Sequence, residues 1–289
     1  MKRIDQIYIN GAFVRPHGTE EMQLVDPATE QPASVVVLAD ADDARAAIAR
    51  GAVDTLKRVT LELGGKSPNV LLDDADFEAA IPLAVTAAFM NSGQACIAGT
   101  RLLVPARRLA EAKRLLARAV AAVTVGAPAS PTTQIGPMVS RTQYDRVQGY
   151  IRAGRAEGAE LLVGGEGRPA GLARGYFVKP TVFVGVTPEM RIAREEIFGP
   201  VLSVIAYDTD ADAVRIANDT VYGLHAYVSG SRERAGRVAA QIVAGRVFVN
   251  GLFDAPLAPF GGFKQSGLGR EFGSFGLEAY VEPKTVVAA

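Results

Sequence analysis

Residues 181–219, TVFVGVTPEMRIAREEIFGPVLSVIAYDTDADAVRIAND, decide the fold. Two short β-branched runs, TVFV (181–184) and VLSVIA (201–206), read as strands, and residues 210–218 read as a helix. Working outward, a helix is predicted near 231–244, followed by the strand RVFVN (246–250). On the other side lie the strand ELLV (160–163) and a helix from Ser140 to about Glu157. Strands that alternate with helices of this length predict an α/β domain with a mostly parallel sheet.

Further upstream, NVLL (69–72) is a short buried strand leading into an acidic helix start, DDAD. In the helix that follows, Phe77, Ile81, Ala84, Val85, Ala88 and Phe89 recur at helical spacing. Pro82 falls inside that pattern, so the helix is kinked there or begins later than Asp76 suggests. The segment Ala106–Val123 sets Leu109, Ala112, Leu116, Ala119 and Val123 on one face, with arginines and lysines opposite. That basic face is a solvated helix surface rather than a nucleic-acid site. Near the start, YINGAFV (8–14) carries an Asn-Gly turn. VDPATEQPASVVVLA (25–39) is a turn leading into a β-branched run, and Asp40–Arg50 reads as a helix. The tail EAYVEPKTVVAA (278–289) is extended and β-branched.

Composition narrows the function classes. With 289 residues, 48% hydrophobic and 21% charged, the chain is an ordinary globular protein with room for a real core. Lys+Arg and Asp+Glu both number 31, so no global field draws it to nucleic acid or anionic lipid. One cysteine excludes a disulfide framework and a cysteine-built zinc site, and His17 and His225 offer little for a metal. No apolar run reaches membrane-spanning length, and MKRIDQIYINGAF lacks the apolar core of a signal peptide. A cytoplasmic, reducing environment is the expectation.

Three glycine motifs are decoys. Gly65-Lys66-Ser67 resembles the end of a phosphate loop, but Thr60 stands where its first glycine is required. Gly165-Glu-Gly167-Arg-Pro-Ala170 follows a strand, yet the sequence after it is not a helix that could face a pyrophosphate. Gly267-Leu-Gly269 lacks its third glycine, because residue 272 is Phe.

The lone Cys96 is different. It follows an amphipathic helix through Asn91-Ser-Gly-Gln-Ala, a glycine-bearing turn able to expose a thiol at the helix end. A cysteine offers thiolate attack on an electrophilic carbon, which needs a base or a positive field nearby. Glu62, leading into the turn of LELGGKSP (61–68), is a candidate to deprotonate the thiol or a hydrolytic water.

LELGGKSPNVLL (61–72) and NSGQACIAGTRLLV (91–104) together resemble the active-site pair of the aldehyde dehydrogenases. EEIFGPVLSV (195–204), RVFVNG (246–251) and PFGGFKQSGLGREFG (259–273) resemble that family's later motifs, in order. The resemblance runs from about Val53 to the C-terminus. It implies that Cys96 attacks an aldehyde to give a thiohemiacetal, that hydride passes to NAD or NADP, and that Glu62 activates the water hydrolysing the thioester. It also implies that Glu196 holds the nicotinamide ribose hydroxyls and that Phe198 packs near the nicotinamide. Gln143 and Arg146 stand, by similarity, where the family touches the adenosine half. Lys264 is a structural loop residue in this reading.

The sequence departs from the family between AIARGA (47–52) and VTLELGG. The Trp-Asn-Phe-Pro segment is missing, with the asparagine that supplies half of the oxyanion hole, a donor whose loss costs about 10²–10³ in rate. The lysine–glutamate pair for the adenine ribose, the pyrophosphate helix and the assembly hairpin are missing too. The expected organisation is therefore a remnant of the cofactor domain (1–63), a catalytic domain (64–263) and a C-terminal segment with an oligomerisation strand (264–289). Cofactor binding is expected to be weak or lost. The partners expected are a small aldehyde and further copies of the chain, at least a dimer, with no nucleic acid, membrane or metal. A cofactor-independent thiol esterase and a non-catalytic assembly subunit are the alternatives.

Overall fold

The computed structural model describes residues 2–9, 12–16, 18–38, 52, 56–253 and 255–288. Along the chain the strands are β1 (Lys2–Ile4), β2 (Ile7–Ile9), β3 (Ala12–Val14), β4 (Glu21–Val25), β5 (Pro32–Val37), β6 (Leu61–Glu62), β7 (Pro68–Leu71), β8 (Arg101–Pro105), β9 (Glu160–Val163), β10 (Thr181–Val184), β11 (Val201–Tyr207), β12 (His225–Ser229), β13 (Arg246–Val249) and β14 (Gly267–Leu268). The α-helices are α1 (Phe77–Phe89), α2 (Leu109–Ala121), α3 (Arg141–Ala156), α4 (Arg191–Arg194), α5 (Asp210–Asn218), α6 (Arg232–Ala239) and α7 (Gly273–Glu278).

The main sheet has the order β13-β12-β7-β8-β11-β10-β9. Its neighbours run parallel except at the β9 edge, where β9 and β10 are antiparallel. Successive side chains on a strand point to opposite faces, so each strand feeds two cores. Leu71, Leu102, Val104, Leu202 and Val204 pack with the buried residues of α1 and α2. Val70, Leu103, Ile205, Ala226 and Val228 pack with Val147 and Ile151 of α3, Ala213 and Ile216 of α5, and Ala235 and Val238 of α6. The doubly covered, mostly parallel sheet is the α/β architecture that the alternating elements predict.

Two of its strands have no distinct sequence signal. β8 opens on an arginine and closes on a proline, and β12 mixes His, Tyr and Ser with small residues, yet both sit inside the sheet. Helix α1 begins directly after Asp76, whose carboxylate accepts from the N–H groups of Glu78 and Ala79. It runs on through Pro82, which costs it one backbone bond, the one to the Glu78 carbonyl. The helix predicted near 231–244 stops at Ala239 instead. The Asn218 side chain donates to the Gln241 carbonyl at 2.9 Å and accepts from Val243 N–H at 2.8 Å, which draws the chain off the helical path.

At the N-terminus β1, β5 and β4 form a small sheet and β2 pairs with β3. The Asn10–Gly11 turn, His17 and the Asp40–Arg50 helix fall outside the described residues. Residues 281–288 carry no strand and lie exposed. No helix among the described residues is long and apolar enough to cross a membrane.

Candidate active site

Three segments meet at the amino-terminal ends of β7, β8 and β11. Open α/β sheets more often place ligands at the carboxyl ends of their strands. Here the three segments are loops that enter the sheet.

The first is the cysteine loop. After α1 the chain takes positive φ at Asn91 (50°), Ser92 (60°) and Gly93 (71°), three left-handed residues in succession. Asn91 stabilises the reversal by donating from Nδ2 to the Gln94 carbonyl at 2.9 Å. A Cβ on Gly93 would lie 2.4 Å from the Gly199 carbonyl group, so only glycine fits. Ser92 Oγ accepts from Gly136 N–H, and Gln94 Oε1 accepts from Val139 N–H, both at 2.9 Å. Beyond the cysteine, Tyr227 Oη donates to the Ile97 carbonyl at 3.1 Å. Cys96 is thus held half-buried on a loop fixed at both ends.

The second is the turn after Glu62. Glu62 sits on β6 opposite Gly267 of β14. Leu63 N–H donates to the Ser266 carbonyl at 3.0 Å. Ser266 Oγ donates to the Gly64 carbonyl at 2.7 Å and accepts from Gly223 N–H at 3.0 Å. The two glycines allow close approach on both sides. A Cβ on Gly65 would stand 2.3 Å from the Cys96 carbonyl oxygen, and one on Gly64 would stand 2.6 Å from Glu196 Oε2.

The third is the loop before β11. Glu196 Oε1 accepts from Gly65 N–H at 3.0 Å, which ties this loop to the glycine turn. Phe198 holds a positive φ of 58°. Gln143 Nε2 donates to the carbonyls of Ile197 (3.0 Å) and Phe198 (2.7 Å), and Arg146 donates to the Glu196 carbonyl at 2.7 Å. Gln143 and Arg146 therefore reach the site through the backbone of the 196–198 loop.

The electrostatics couple the first two segments. Burial, reinforced by the Glu271 carboxylate and opposed by Arg270, pushes the Glu62 carboxyl up to about 6. Its Oε1 is buried with no hydrogen-bond partner among the described residues. Burial also pushes the Cys96 thiol up, and the field of Glu62 adds to it, while the N–H groups of Ile97 and Cys96 pull it back. The carboxyl is thus raised toward neutrality and its field helps the thiol to hold its proton.

Ser266, Glu271 and Tyr227 are site residues that sequence reasoning missed. The first two lie inside the run PFGGFKQSGLGREFG; Tyr227 carries no local signal. Lys264 donates to the carbonyls of Asn218 (2.8 Å) and Thr220 (3.1 Å), a loop clasp. Among the described residues no group of His, Cys, Asp or Glu is arranged to hold a metal ion.

The aldehyde dehydrogenase family profile matches residues 45–286. A 3-succinoylsemialdehyde-pyridine dehydrogenase from a Pseudomonas species is 50% identical over 241 residues, covering 83% of this chain and 50% of the relative. The solved structure of aldehyde dehydrogenase C from Pseudomonas syringae, with NAD+ and octanal, superposes with a TM-score of 0.80 at 48% identity, covering 87% of this chain and 57% of that one. A Mycobacterium tuberculosis aldehyde dehydrogenase bound to NAD+ also gives a TM-score of 0.80, at 42% identity, with 86% and 55% covered. The chain spans about half the length of the curated relatives it matches. With that reach and identity, the chain belongs to the aldehyde dehydrogenase family.

Proposed function

We propose that this chain carries the aldehyde-oxidising machinery of its family on Cys96 and Glu62. The observation that carries the reading is the field that the Glu62 carboxyl, itself pushed up to about 6 by burial, exerts on the half-buried thiol. Glu62 takes the thiol proton, and the sulfur adds to the aldehyde carbon to give a thiohemiacetal, its oxyanion facing the Cys96 N–H. NAD(P)+ supplies, when bound, the two-electron acceptor that turns this adduct into a thioester. Once Glu62 has released the thiol proton to solvent, it takes a proton from water, the water oxygen attacks the thioester, and the C–S bond breaks to release the acid and a thiolate that recovers its proton from Glu62.

Glu196 fits the nicotinamide end of such a cofactor. A carboxylate held by one backbone N–H keeps lone pairs for hydroxyl groups. Phe198 would pack near the ring, and Gln143 and Arg146 would fix the loop that presents both. The stretch between AIARGA (47–52) and VTLELGG lacks the family's adenosine and pyrophosphate contacts, so cofactor affinity should be weak, and low-micromolar binding in calorimetry would overturn that. The exposed tail, with Tyr280 at 88% and Val287 at 88% accessibility, would add to the sheet of a second copy. Light scattering on the intact chain and on one ending near Phe275 tests this. A cytoplasmic setting, which keeps the thiol reduced, belongs to the same proposal.

A second reading, a thiol esterase, is favoured by the same pair, because acyl transfer through Cys96 and Glu62 requires no cofactor. Hydrolysis of p-nitrophenyl acetate by the parent chain and by Cys96→Ala tests the chemistry that both readings share. A Cys96→Ala variant as active as the parent would remove both readings. The non-catalytic assembly subunit would then remain.

A further inference from the structure

Beside the active-site turn lies a cluster that the proposed chemistry does not use. Lys66 and Ser67 enter β7, and His225 opens the neighbouring strand β12. The register pairs Tyr227 with Asn69, which brings His225 alongside Ser67 two residues earlier. All three side chains are 1% exposed. Lys66 Nζ, Ser67 Oγ and both ring nitrogens of His225 are buried without a hydrogen-bond partner among the described residues. The His225 ring is held in place by Tyr227 and Phe248, each with its ring centroid 4.6 Å away.

Four orphaned polar atoms in one place are costly to bury. The same residues line a cavity of about 10 Å³, with its rim at Thr220 and Tyr222. That volume is at the lower limit for a single water. The chemistry of the lining is mixed. Lys66 brings only donors, Ser67 brings both functions, and an imidazole kept neutral by burial, with its pKa pushed down to about 3, has one N–H and one bare nitrogen. An anion would be repelled by that bare nitrogen and by the carboxylates of Glu196 and Glu195, which both act on Lys66. A metal cation would be repelled by the ammonium.

We propose that this cavity is the site of one ordered water molecule, which accepts a hydrogen bond from Lys66 Nζ, donates one to His225 and has Ser67 Oγ as its third partner. The water ties the mouth of β7 to β12 directly behind the turn that carries Gly64 and Gly65. It is a structural site, independent of substrate and cofactor.

Two measurements test it. A high-resolution crystal structure of the intact chain, grown with bromide in the buffer, should show one peak within about 2.6–3.2 Å of at least two of these three side chains and no anomalous signal there. An empty cavity would overturn the proposal, and an anomalous bromide peak would replace the water with an anion. Thermal melts of two variants give the solution counterpart. His225→Gln keeps a polar partner and should melt within about 2 °C of the parent, whereas His225→Leu should melt lower by roughly 2–6 °C. In a dry cavity the order reverses, because an apolar replacement of an orphaned imidazole relieves its cost. A leucine variant melting at or above the parent would therefore overturn the water. If the leucine variant does not fold, the crystal measurement decides.

Discussion

Gly65→Ala is the substitution that the site geometry speaks to most directly. Nothing in the backbone conformation of Gly65 demands glycine, since its φ is not among the positive ones. The constraint is purely space. The added Cβ would stand 2.3 Å from the Cys96 carbonyl oxygen, and that atom is backbone, so no rotamer change relieves it. Ordinary contact begins near 3.4 Å. The glycine turn and the cysteine loop must therefore part by about 1 Å, while Gly65 N–H must also keep or lose Glu196. Overpacking of this kind costs about 1–3 kcal/mol, or a fall in Tm of roughly 2–10 °C. A 1 Å misplacement of a reacting group can cost about 10²-fold in rate. The assay is iodoacetamide labelling of Cys96 followed by mass spectrometry, together with p-nitrophenyl acetate hydrolysis. Labelling should change, and hydrolysis should fall by at least about tenfold. Gly236→Ala on α6 is the control, because its Cβ would meet nothing within 4 Å, and it should match or exceed the parent in Tm. A Gly65→Ala chain with parental melting, labelling and hydrolysis would refute the claim that the two loops interlock.

Other outcomes follow from the same contacts. Deacylation of acyl-Cys96 should rise with pH through about 6, where Glu62 loses its proton, and Glu62→Gln should flatten that limb and slow the step by about 10²–10⁴; an unchanged limb in the variant would assign the base elsewhere. Arg101→Met leaves the carbonyls of Lys66, Ile216 and Ala217 without their guanidinium donor, at a cost of about 3 kcal/mol or more, and should lower Tm by roughly 6–12 °C. For Lys66, burial pushes the ammonium pKa from 10.5 down to about 7, so between those values the unfolded chain holds the extra proton and parent stability rises with pH. Denaturant melts of Lys66→Met from pH 6 to pH 10 should show the variant's relative advantage shrinking by up to about 4 kcal/mol as pH rises; a difference flat with pH would mean that Lys66 titrates normally.

The sequence made much of this visible where the signal is local. Alternating β-branched runs and helical periodicity locate β9, β10, β11 and β13 nearly to the residue. The signal fails where a strand is defined by its neighbours: β8 and β12 are buried because other strands flank them, not because of their own pattern. The site divides the same way. Cys96 and Glu62 stand in distinctive motifs, but the Ser266 hydroxyl acts on a glycine 202 positions away, and Tyr227 supports the cysteine loop from 130 positions beyond Ile97. No window of sequence contains those pairs. The false phosphate loop at Gly65-Lys66-Ser67 is instructive for the opposite reason. Its Gly65 serves close approach to Cys96, as the preceding Gly64 does to Glu196, and its lysine is buried behind them.

The strap from Ser266 to Gly64 has a consequence for the newly made chain. On the ribosome, Cys96 emerges long before the serine that anchors the turn packed against it. At about 5–20 residues per second, translation takes on the order of 10–30 s to cover the stretch between them. Throughout that interval the Cys96 thiol is present without the contacts that fix its surroundings. The thiol is therefore most open to stray electrophiles and oxidants during synthesis, and the pace of its protection is set by chain elongation rather than by any property of the finished site.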